Sequence, residues 1–355
     1  MESRIFIEII ISDHIGIKSG MDQVHRAEVK RLSGLGYSCE VLSNYSGERA
    51  RFYYPNIYEG SIAEKLLSIS VMYFNFLKLC LKSHKVIIRH NWYGTWIDVP
   101  FVLIACLFPR VQFYVHEIVM LDYKGGILPN VIGSLLKMSR NKLIALSEKN
   151  YGLLSSLRGS SDLVELSRLS KLDRLPEFDV CHIPAEYTQF VVKHNRPDNV
   201  ICLFFGDFRA SKGFSDVIEM VKVDHKRLTF MVCGQDIFEL TPPDFLEAPN
   251  CLMSARRQSD DETSFLFTVA DIVLLPYKVS SQSGVLEMAR AYNKAIAVSP
   301  YMSDAIEDYN FPSIVCDFEQ GGKVLVQKIL DFHETLGTKF DQNINRYQQK
   351  PANNE

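Results

Sequence analysis

The residues best suited to chemistry lie in the segment FFGDFRASKGF, residues 204–214. This segment follows an apolar stretch typical of a buried strand and leads into a segment with helical spacing of its apolar residues. Gly206 lets the chain turn sharply away from the strand, and Gly213 ends the loop. Between them, Arg209 supplies a guanidinium fork and Lys212 an ammonium point charge, which together favour a phosphate-bearing ligand. A solvated turn explains this loop, taken alone, equally well.

A second candidate loop follows the apolar stretch DIVLLP and opens a helical segment. The residues around the start of that helix are Ser281, Ser283, Gly284 and Val285. Small residues here would let an anion approach the free backbone amides of the first helical turn. Glu287 is predicted at the third helical position, where its carboxylate either caps the helix or, in a nucleotide site, accepts hydrogen bonds from both ribose hydroxyls. For an isolated sequence, the capping role is favoured.

Other common phosphate-binding motifs are missing from the sequence. It contains no Gly-x4-Gly-Lys-Ser/Thr sequence, and no Gly-x-Gly-x-x-Gly sequence follows an apolar stretch. These absences argue against a P-loop NTPase and against a dinucleotide-dependent oxidoreductase. No Asp-x-Asp pair stands where it could hold a divalent cation, so we predict neither a metal nor a cofactor.

Apolar stretches alternate with helical segments along the chain, in two series. The strand-like stretches are RIFIEIII, SCEVLS, KVIIRH, VQFYVHEI and NKLIALS, and then NVICLFFG, LTFMVCG, DIVLLPY, AIAVS and PSIVCD. This alternation predicts an α/β protein with two doubly wound, Rossmann-like domains facing each other across a cleft. The predicted domains are residues 1–190 and 191–330, followed by a C-terminal helix and polar tail over 331–355. Chemistry is expected at the carboxyl ends of the strands.

Composition and charge are those of an ordinary globular protein. The 355 residues carry a net charge of −3, with 47% hydrophobic and 23% charged residues, so nucleic acid is not an expected partner. No apolar stretch approaches the roughly 20 residues that a spanning helix needs. The eight cysteines include no Cys-x-x-Cys pair and are expected to be reduced core residues. We predict a cytoplasmic protein.

Taken together, the two loops give residues 200–300 a specific resemblance to the donor-binding half of a GT-B glycosyltransferase, most closely one of retaining family 4. That family has a basic loop of the form G-x-x-R-x-x-K-G and a later Glu-x7-Glu segment, both of which hold the sugar nucleotide. The residues that match are Gly206, Arg209, Lys212, Gly213 and Glu287. The two matches occur in the expected order about 75 residues apart, so the combination is more specific than either loop.

The N-terminal half resembles the same family more weakly. Gly20 lies where the family has a glycine loop close to the diphosphate. His116 ends a strand where relatives often carry a histidine that faces the donor sugar. A lone histidine is equally often a satisfied core or surface residue, so both interpretations of His116 stand.

Two residues depart from the family pattern. Val279 occupies the position of the first glutamate, which in many members contacts the donor sugar. Asp207 places an acid inside a loop that would bind anions. These departures keep open a non-catalytic homologue that binds sugar nucleotides. A sugar-nucleotide epimerase or hydrolase, which can share the same fold and phosphate site, is the other alternative.

The resemblance implies transfer of a sugar from a UDP- or GDP-sugar to a saccharide or lipid-linked saccharide acceptor, as in cell-surface polysaccharide biosynthesis. We predict Arg209, Lys212 and His116 as catalytic residues, with the two cations stabilising charge on the departing diphosphate. Retention of anomeric configuration follows from the family resemblance alone. An inverting enzyme would need a general base. The candidates for that base are Asp13, His14, Asp22 and His116.

The segment EKLLSISVMYFNFLKLCLKSHK, residues 64–85, combines an apolar helical pattern with lysines near its end. A buried core helix is the favoured interpretation. The alternative is a helix in peripheral contact with the inner face of the membrane, where a lipid-linked acceptor would reside.

Overall fold

Short runs of β-branched and other apolar residues form the strands, because such side chains pack well on a pleated surface that is buried on both faces. The structure is a computed structural model. It describes residues 8–13, 21–43, 50–53, 60–81, 86–116, 127–159, 161–167, 172–194, 196–223, 225–236, 239–242, 248–278, 283–307 and 309–336. The chain divides into two compact units, which we call the N-terminal unit (Met1–Leu172) and the C-terminal unit (Asp173–Glu355).

The N-terminal unit contains a parallel sheet of seven described strands. These strands are β1 (Glu8–Ser12), β2 (Ser38–Ser43), β3 (Ala50–Tyr53), β4 (Val86–Trp92), β5 (Val111–Val115), β6 (Lys142–Ala145) and β7 (Val164–Leu166). The helices are α1 (Met21–Gly34), α2 (Ile62–Leu81), α3 (Asp98–Ala105), α4 (Leu128–Met138) and α5 (Glu148–Arg158). The strand order is β3-β2-β1-β4-β5-β6-β7, so the direction of winding reverses between β1 and β4. Side chains that follow those two strands border the crevice where such sheets bind ligands.

Alternation along β1 shows how both faces of this sheet are covered. Ile10 packs into the larger core, which α2, α3, α4 and α5 cover. Ile9 and Ile11 point to the opposite face, where they pack with Val29 and Leu32 of α1. The strand is therefore apolar at successive positions because neither of its faces meets water.

The C-terminal unit repeats this plan with six described strands. These are β8 (Val200–Phe205), β9 (Leu228–Cys233), β10 (Cys251–Ser254), β11 (Ile272–Leu275), β12 (Ala295–Val298) and β13 (Ser313–Val315). The helices are α6 (Ala185–His194), α7 (Phe214–Val221), α8 (Asp260–Val269), α9 (Gly284–Ala291) and α10 (Gly322–Leu336). The strand order is β10-β9-β8-β11-β12-β13, all parallel, so the winding reverses between β8 and β11.

The prediction of two doubly wound α/β domains is confirmed. All ten predicted strands are present, and three more, β3, β7 and β10, lie at sheet edges. The division between the units falls after Leu172, earlier than the predicted division after residue 190. The reason is that the following segment packs on α8, where Ser264 Oγ donates to the carbonyl of Pro176 at 3.0 Å.

The C-terminal end of the chain also differs from its predicted limits. The last described helix, α10, begins at Gly322, before the predicted start at residue 331. Its apolar side packs into the core of the C-terminal unit through Leu325 and Ile329. The predicted polar tail from residue 337 onward lies outside the described residues.

The cysteines fit their prediction only in part. Six of the eight are buried, and none of the eight is in a disulfide. Cys106 and Cys181 are exposed, so the expectation of a core position is wrong for these two.

Helix α2 is apolar on two sides. Its inner stripe, which includes Met72 and Phe76, is buried in the core, as the favoured interpretation predicts. Its outer stripe carries Leu67, Phe74 and Leu81 at a spacing of seven residues, and these side chains are 65%, 67% and 69% exposed. In the part of the chain that the structure describes, no helix combines the length and hydropathy needed to cross a bilayer.

Candidate functional site

The glycine loop, residues 206–213, leaves the carboxyl end of β8 beside the reversal of winding in the C-terminal unit. Gly206 has a φ of +110° and Gly213 a φ of +69°, values that residues with side chains rarely adopt. A short 3-10 helix, Ala210–Lys212, lies between the two glycines. The loop therefore depends on glycine at both of its ends, as the sequence predicts.

Close backbone packing fixes the glycine loop between the ends of β9 and β11. A Cβ on Gly213 would lie 2.0 Å from the carbonyl oxygen of Pro276, which follows β11. A Cβ on Gly234, which follows β9, would lie 1.7 Å from the carbonyl oxygen of Gly206. Sequence reasoning missed Gly234, although a glycine directly after a buried strand is a signal that could have identified it.

The side chain of Lys212 returns toward the start of the loop. A Cβ on Gly206 would lie 3.1 Å from Lys212 Nζ and 3.7 Å from Val285 Cγ2. The ammonium group and the first turn of α9 therefore border the same glycine. Lys212 Nζ also lies 5.8 Å from the centroid of the Tyr277 ring, close enough for a cation–π interaction.

Asp207 is a counter-ion within the loop. Its Oδ2 lies 3.1 Å from Arg209 Nη2, and both side chains are about three-quarters buried (27% and 23% exposed). Burial lowers the pKa of Lys212, the carboxylate of Asp207 raises it, and the guanidinium of Arg209 lowers it further. The acid that looked out of place in the sequence thus offsets one of the two neighbouring positive charges and leaves the loop with a net charge of about +1.

The N-terminus of α9 is capped by its own serine. Ser283 Oγ accepts a hydrogen bond from the backbone amide of Leu286 at 3.2 Å and donates one to Tyr277 Oη at 3.1 Å. Gly284 and Val285 are the first two helical residues, so their amides belong to the turn that has no partners within the helix. Apart from its chain neighbours and the backbone of its own helix, no heavy atom of the described residues lies within 4 Å of a Cβ built on Gly284. The backbone is thus closely approachable at this residue.

Glu287 occupies the fourth position of α9, one later than predicted. A capping box needs an acidic or amide side chain at the third position, which here is Leu286, so that role does not apply to Glu287. Glu287 Oε2 lies 3.4 Å from Arg290 Nε, and both side chains are largely buried. The carboxylate is therefore held by a cation one turn along the same helix.

A second polar cluster lies at the carboxyl edge of the N-terminal unit, where β1 and β4 end. Asp13 Oδ2 accepts hydrogen bonds from Asn91 Nδ2 at 3.1 Å and from Tyr93 Oη at 2.9 Å. The same oxygen lies 2.7 Å from His25 Nε2 of α1. Asp13 is fully buried, so its carboxylate is engaged by its own chain, which counts against its predicted role as a general base. Sequence reasoning missed His25, Asn91 and Tyr93, because no motif marks them.

His116 directly follows β5 and is half-buried. Its ring stacks on that of Tyr93, with centroids 4.9 Å apart and planes inclined by 14°. Burial lowers the pKa of His116 to about 4, although Asp13 and Asp98 act to raise it and His25 to lower it. The imidazole is therefore neutral near pH 7 and offers one hydrogen-bond donor and one acceptor. Its role toward a substrate remains a prediction.

Several predicted residues lie outside the described part of the chain. These are Gly20 and Ser281 of the predicted donor site, His14 among the candidate bases, and Val279 at the position of the first family glutamate. Of Asp22, only the backbone is described. Within the described residues, no group of three or more His, Cys, Asp or Glu side chains is arranged to hold a metal ion.

Comparisons with known proteins identify similar structures but no related sequence. No protein-family model matches the chain, and no curated protein matches it. HepE from Anabaena, solved with UDP and glucose, shares 13% identity over 95% of this chain and 91% of its own, with a TM-score of 0.61. WaaG, a glycosyltransferase involved in lipopolysaccharide biosynthesis, shares 14% identity over 98% of this chain and 96% of its own, with a TM-score of 0.61. The catalytic domain of starch synthase IV from Arabidopsis thaliana, bound to ADP and acarbose, shares 11% identity. The match covers 96% of this chain and 94% of that domain, with a TM-score of 0.67.

Because these three proteins share so little sequence identity with this chain, their structural similarity establishes the fold only. The chain has the GT-B fold, with two Rossmann-like domains, and the predicted fold class is confirmed in this respect.

Proposed function

We propose that the chain is a glycosyltransferase that takes its sugar from a nucleoside diphosphate sugar. The observation that carries the proposal is the meeting of Lys212 Nζ and the first turn of α9 at Gly206, beside the reversal of winding in the C-terminal sheet. A cation beside the first turn of a helix, whose amides have no partner within that helix, favours a phosphate group. Arg209, close enough to lower the pKa of Lys212, adds a second cation. The likeness to HepE, which was solved with UDP and glucose, supports this assignment.

The proposed reaction needs positive charge around the diphosphate. When the sugar leaves, the bond between its anomeric carbon and the β-phosphate oxygen breaks, and that oxygen gains negative charge. Lys212, Arg209 and the backbone amides of Gly284 and Val285 stabilise this charge in the proposed mechanism. Loss of one such group lowers turnover by roughly 10²–10³-fold in comparable sites. Since two cations and a helix N-terminus already face the proposed diphosphate position, we propose that transfer needs no metal.

We propose that Glu287 recognises the ribose of the donor. Its carboxylate is largely buried and lies 3.4 Å from Arg290 Nε. A carboxylate paired with a cation accepts hydrogen bonds from hydroxyl groups. This contact selects for a ribonucleotide and leaves the base open, so UDP- and GDP-sugars are the proposed donors.

The proposed acceptor is a saccharide or lipid-linked saccharide, used in cell-surface polysaccharide biosynthesis with retention of anomeric configuration. Support comes from the resemblance of the glycine loop and Glu287 to retaining family 4, and from the fold shared with WaaG. The burial of Asp13 agrees with a mechanism that needs no carboxylate base in this position. The proton-coupled NMR spectrum of the product decides the anomeric configuration.

We further propose that the outer stripe of α2 rests on the membrane surface that carries the acceptor. Leu67, Phe74 and Leu81 are exposed along this stripe, and Lys78 lies on the same side of the helix. Apolar side chains with a cation among them favour an anionic lipid surface.

In flotation with phosphatidylglycerol vesicles, Phe74→Glu should weaken binding. The matched control is Leu35→Glu, since Leu35 is exposed beside α1 on the opposite face of the sheet.

A nucleotide screen followed by product analysis tests the proposed function. UDP or GDP should raise the melting temperature, since a ligand of the native state stabilises it. With UDP-glucose or its GDP counterpart, a glycosylated product should form only when a saccharide acceptor is present. Product formed without an acceptor would instead identify an epimerase or hydrolase, and nucleotide binding without turnover would identify a non-catalytic homologue. No binding of any nucleoside diphosphate would overturn the proposal itself.

A further inference from the structure

We propose that Tyr93 is a positioning residue: anchored by Asp13, it holds the ring of His116 in a fixed orientation for contact with the substrate. The claim that His116 contacts the substrate rests on the proposed function. The positioning itself rests on the register of two strands, on a buried hydrogen bond and on one ring contact.

The register of β4 and β5 brings the two rings together. Trp92 pairs with Val115 at the end of this parallel ladder, so Tyr93 and His116 are the next residues along it. The backbone amide of His116 donates to the carbonyl of Trp92 at 2.9 Å, which continues the pairing by one step. Corresponding positions of paired strands project to the same side of a sheet. The stack at 4.9 Å is therefore built into the sheet.

Tyr93 is fixed at its backbone as well as at its hydroxyl. Its backbone amide donates to Asp98 Oδ2 at 3.4 Å, and that oxygen also accepts from the backbone amide of Thr95 at 2.7 Å and from Thr95 Oγ1 at 2.9 Å. At the other end of the side chain, Tyr93 Oη donates to Asp13 Oδ2 at 2.9 Å. With both ends tied and only 7% of the residue exposed, the ring has little freedom to rotate.

Asp13 is a rigid anchor because three elements meet on it. It directly follows β1 and is fully buried. His25 of α1 lies 2.7 Å from its Oδ2, and Asn91 of β4 donates to the same oxygen at 3.1 Å. A carboxylate held from two other elements cannot shift without breaking buried polar contacts, each of which costs free energy.

The consequence for His116 is a preset imidazole. A ring stacked on a fixed neighbour loses freedom about its Cβ–Cγ bond, so its N–H and its lone pair keep their directions before a substrate arrives. Holding a contacting group in place in this way can change a rate by about 100-fold for a displacement of about 1 Å. The charged and titratable groups that act on His116 are Asp13, Asp98 and His25.

The test compares two tyrosine hydroxyls of the same unit. Tyr93→Phe removes the hydroxyl that bonds Asp13, whereas the control Tyr73→Phe removes one that donates to the carbonyl of Ile97 at 2.8 Å. Tyr93→Phe should lower kcat by about 10- to 100-fold, with the KM for the donor changed less than about twofold. Tyr73→Phe should leave both constants unchanged. Isothermal calorimetry with UDP should give equal affinities for all three proteins, because the diphosphate site lies in the other unit.

An NMR titration of the His116 ring tests positioning without reference to activity. Its resonance is assigned from the spectrum of His116→Gln. Removal of the covering ring in Tyr93→Ala admits water, so the pKa of His116 should rise from about 4 toward the ordinary value of 6.5. Tyr93→Phe should cause a smaller rise, and Tyr73→Phe none. Should Tyr93→Ala fail to fold, Tyr93→Phe carries the test.

Two results separate this inference from the proposed function. If the wild type transfers no sugar, the proposed function fails, but the NMR titration still measures whether Tyr93 holds His116. An unchanged His116 titration in the Tyr93 variants would overturn the inference even in an active enzyme. Equal kcat values for Tyr93→Phe and Tyr73→Phe would also overturn it, since they would make Tyr93 no more important than any buried tyrosine.

Discussion

The protonation of Lys212 should control diphosphate affinity at high pH. Burial lowers its pKa below the usual 10.5, so the side chain loses its proton at a lower pH than an exposed lysine. A bound diphosphate favours the charged form and raises that pKa again. Binding is therefore strongest below the pKa of the ligand-free protein and weakens as the pH rises from that value toward the pKa of the complex. Between those two values, the affinity should fall by up to about tenfold per pH unit.

The total contribution of Lys212 to UDP affinity follows from the hydrogen bond that its ammonium group would make to the diphosphate. A hydrogen bond to a charged group contributes about 1.5–3 kcal/mol, so Lys212→Met should weaken UDP binding by about 10- to 150-fold at pH values below the pKa of Lys212. The variant should also lose the part of the pH dependence that Lys212 causes. Tyr277, the neighbour of Lys212, does not interfere below pH 11, because burial raises its pKa to about 12. The terminal phosphate of UDP, with a pKa of about 6, is already ionised in this range. The uracil ring of UDP loses its N3 proton within this range, but it does so equally with the wild type and with Lys212→Met, so the difference between the two pH profiles isolates Lys212.

Isothermal calorimetry with UDP between pH 8 and pH 11 measures both the pH dependence of UDP affinity and the loss of affinity in Lys212→Met. Repeating it in buffers of different ionisation enthalpy reports proton uptake on binding, which should be larger in the wild type than in Lys212→Met. Lys222→Met is the matched control, because Lys222 pairs with Glu219 on the exposed side of α7. Identical pH profiles for the wild type and Lys212→Met would refute the reasoning, since another group would then control the affinity.

Three further substitutions test other parts of the site. Gly284→Ala places a methyl group where no described atom lies within 4 Å, so calorimetry should show UDP binding weakened by about tenfold, while the melting temperature does not fall. Glu287→Gln should remove most of the preference for UDP over its 2′,3′-dideoxy analogue, since a neutral amide is the weaker acceptor for ribose hydroxyls. Gly213→Ala combines a φ of +69° with a Cβ 2.0 Å from the Pro276 carbonyl oxygen. Denaturant unfolding should then show the C-terminal unit destabilised by about 2–5 kcal/mol.

Each of these three outcomes has an opposite that counts against the site. Unchanged UDP affinity in Gly284→Ala would place the phosphate away from α9. An intact preference for the ribonucleotide in Glu287→Gln would show that Glu287 serves its helix through Arg290 only. Wild-type stability of Gly213→Ala would mean that the glycine loop is not locked against the end of β11.

The sheets were predictable wherever the strands lie in the interior. Interior strands are buried on both faces, so they appear in the sequence as continuous apolar runs. The missed strands β3, β7 and β10 all lie at edges. Their sequences, ARFY, VEL and CLMS, are short, and the first two carry a charged residue, which an edge tolerates because one side of the strand has no partner.

The two candidate sites differed in how much of them the sequence revealed. The glycine loop was predictable because its two cations and two glycines lie within eight residues of chain. The cluster around Asp13 was not, because its members come from three separate parts of the chain. Asp13 follows β1, His25 lies in α1, and Asn91 and Tyr93 lie at the end of β4. Asp13 meets the last two because β1 and β4 are neighbours in the sheet.

Glu287 shows that the exact start of a helix is difficult to predict from sequence. A shift of one residue in the start of α9 decides whether its side chain can cap the helix.

The outer stripe of α2 shows why burial could not be read from hydropathy alone. Its inner and outer residues are similarly apolar, and only the contacts of the helix decide which side faces the sheet. Phe74 is 67% exposed, whereas Phe76, two residues later, is fully buried.

A crystal structure of the protein with UDP tests the central claim most directly, because it locates the diphosphate itself. The account predicts phosphate oxygens within hydrogen-bond distance of Lys212 Nζ and of the backbone amides of Gly284 and Val285, with the ribose beside Glu287. A diphosphate bound elsewhere, with Lys212 still directed at Gly206 and no phosphate near the start of α9, would contradict it.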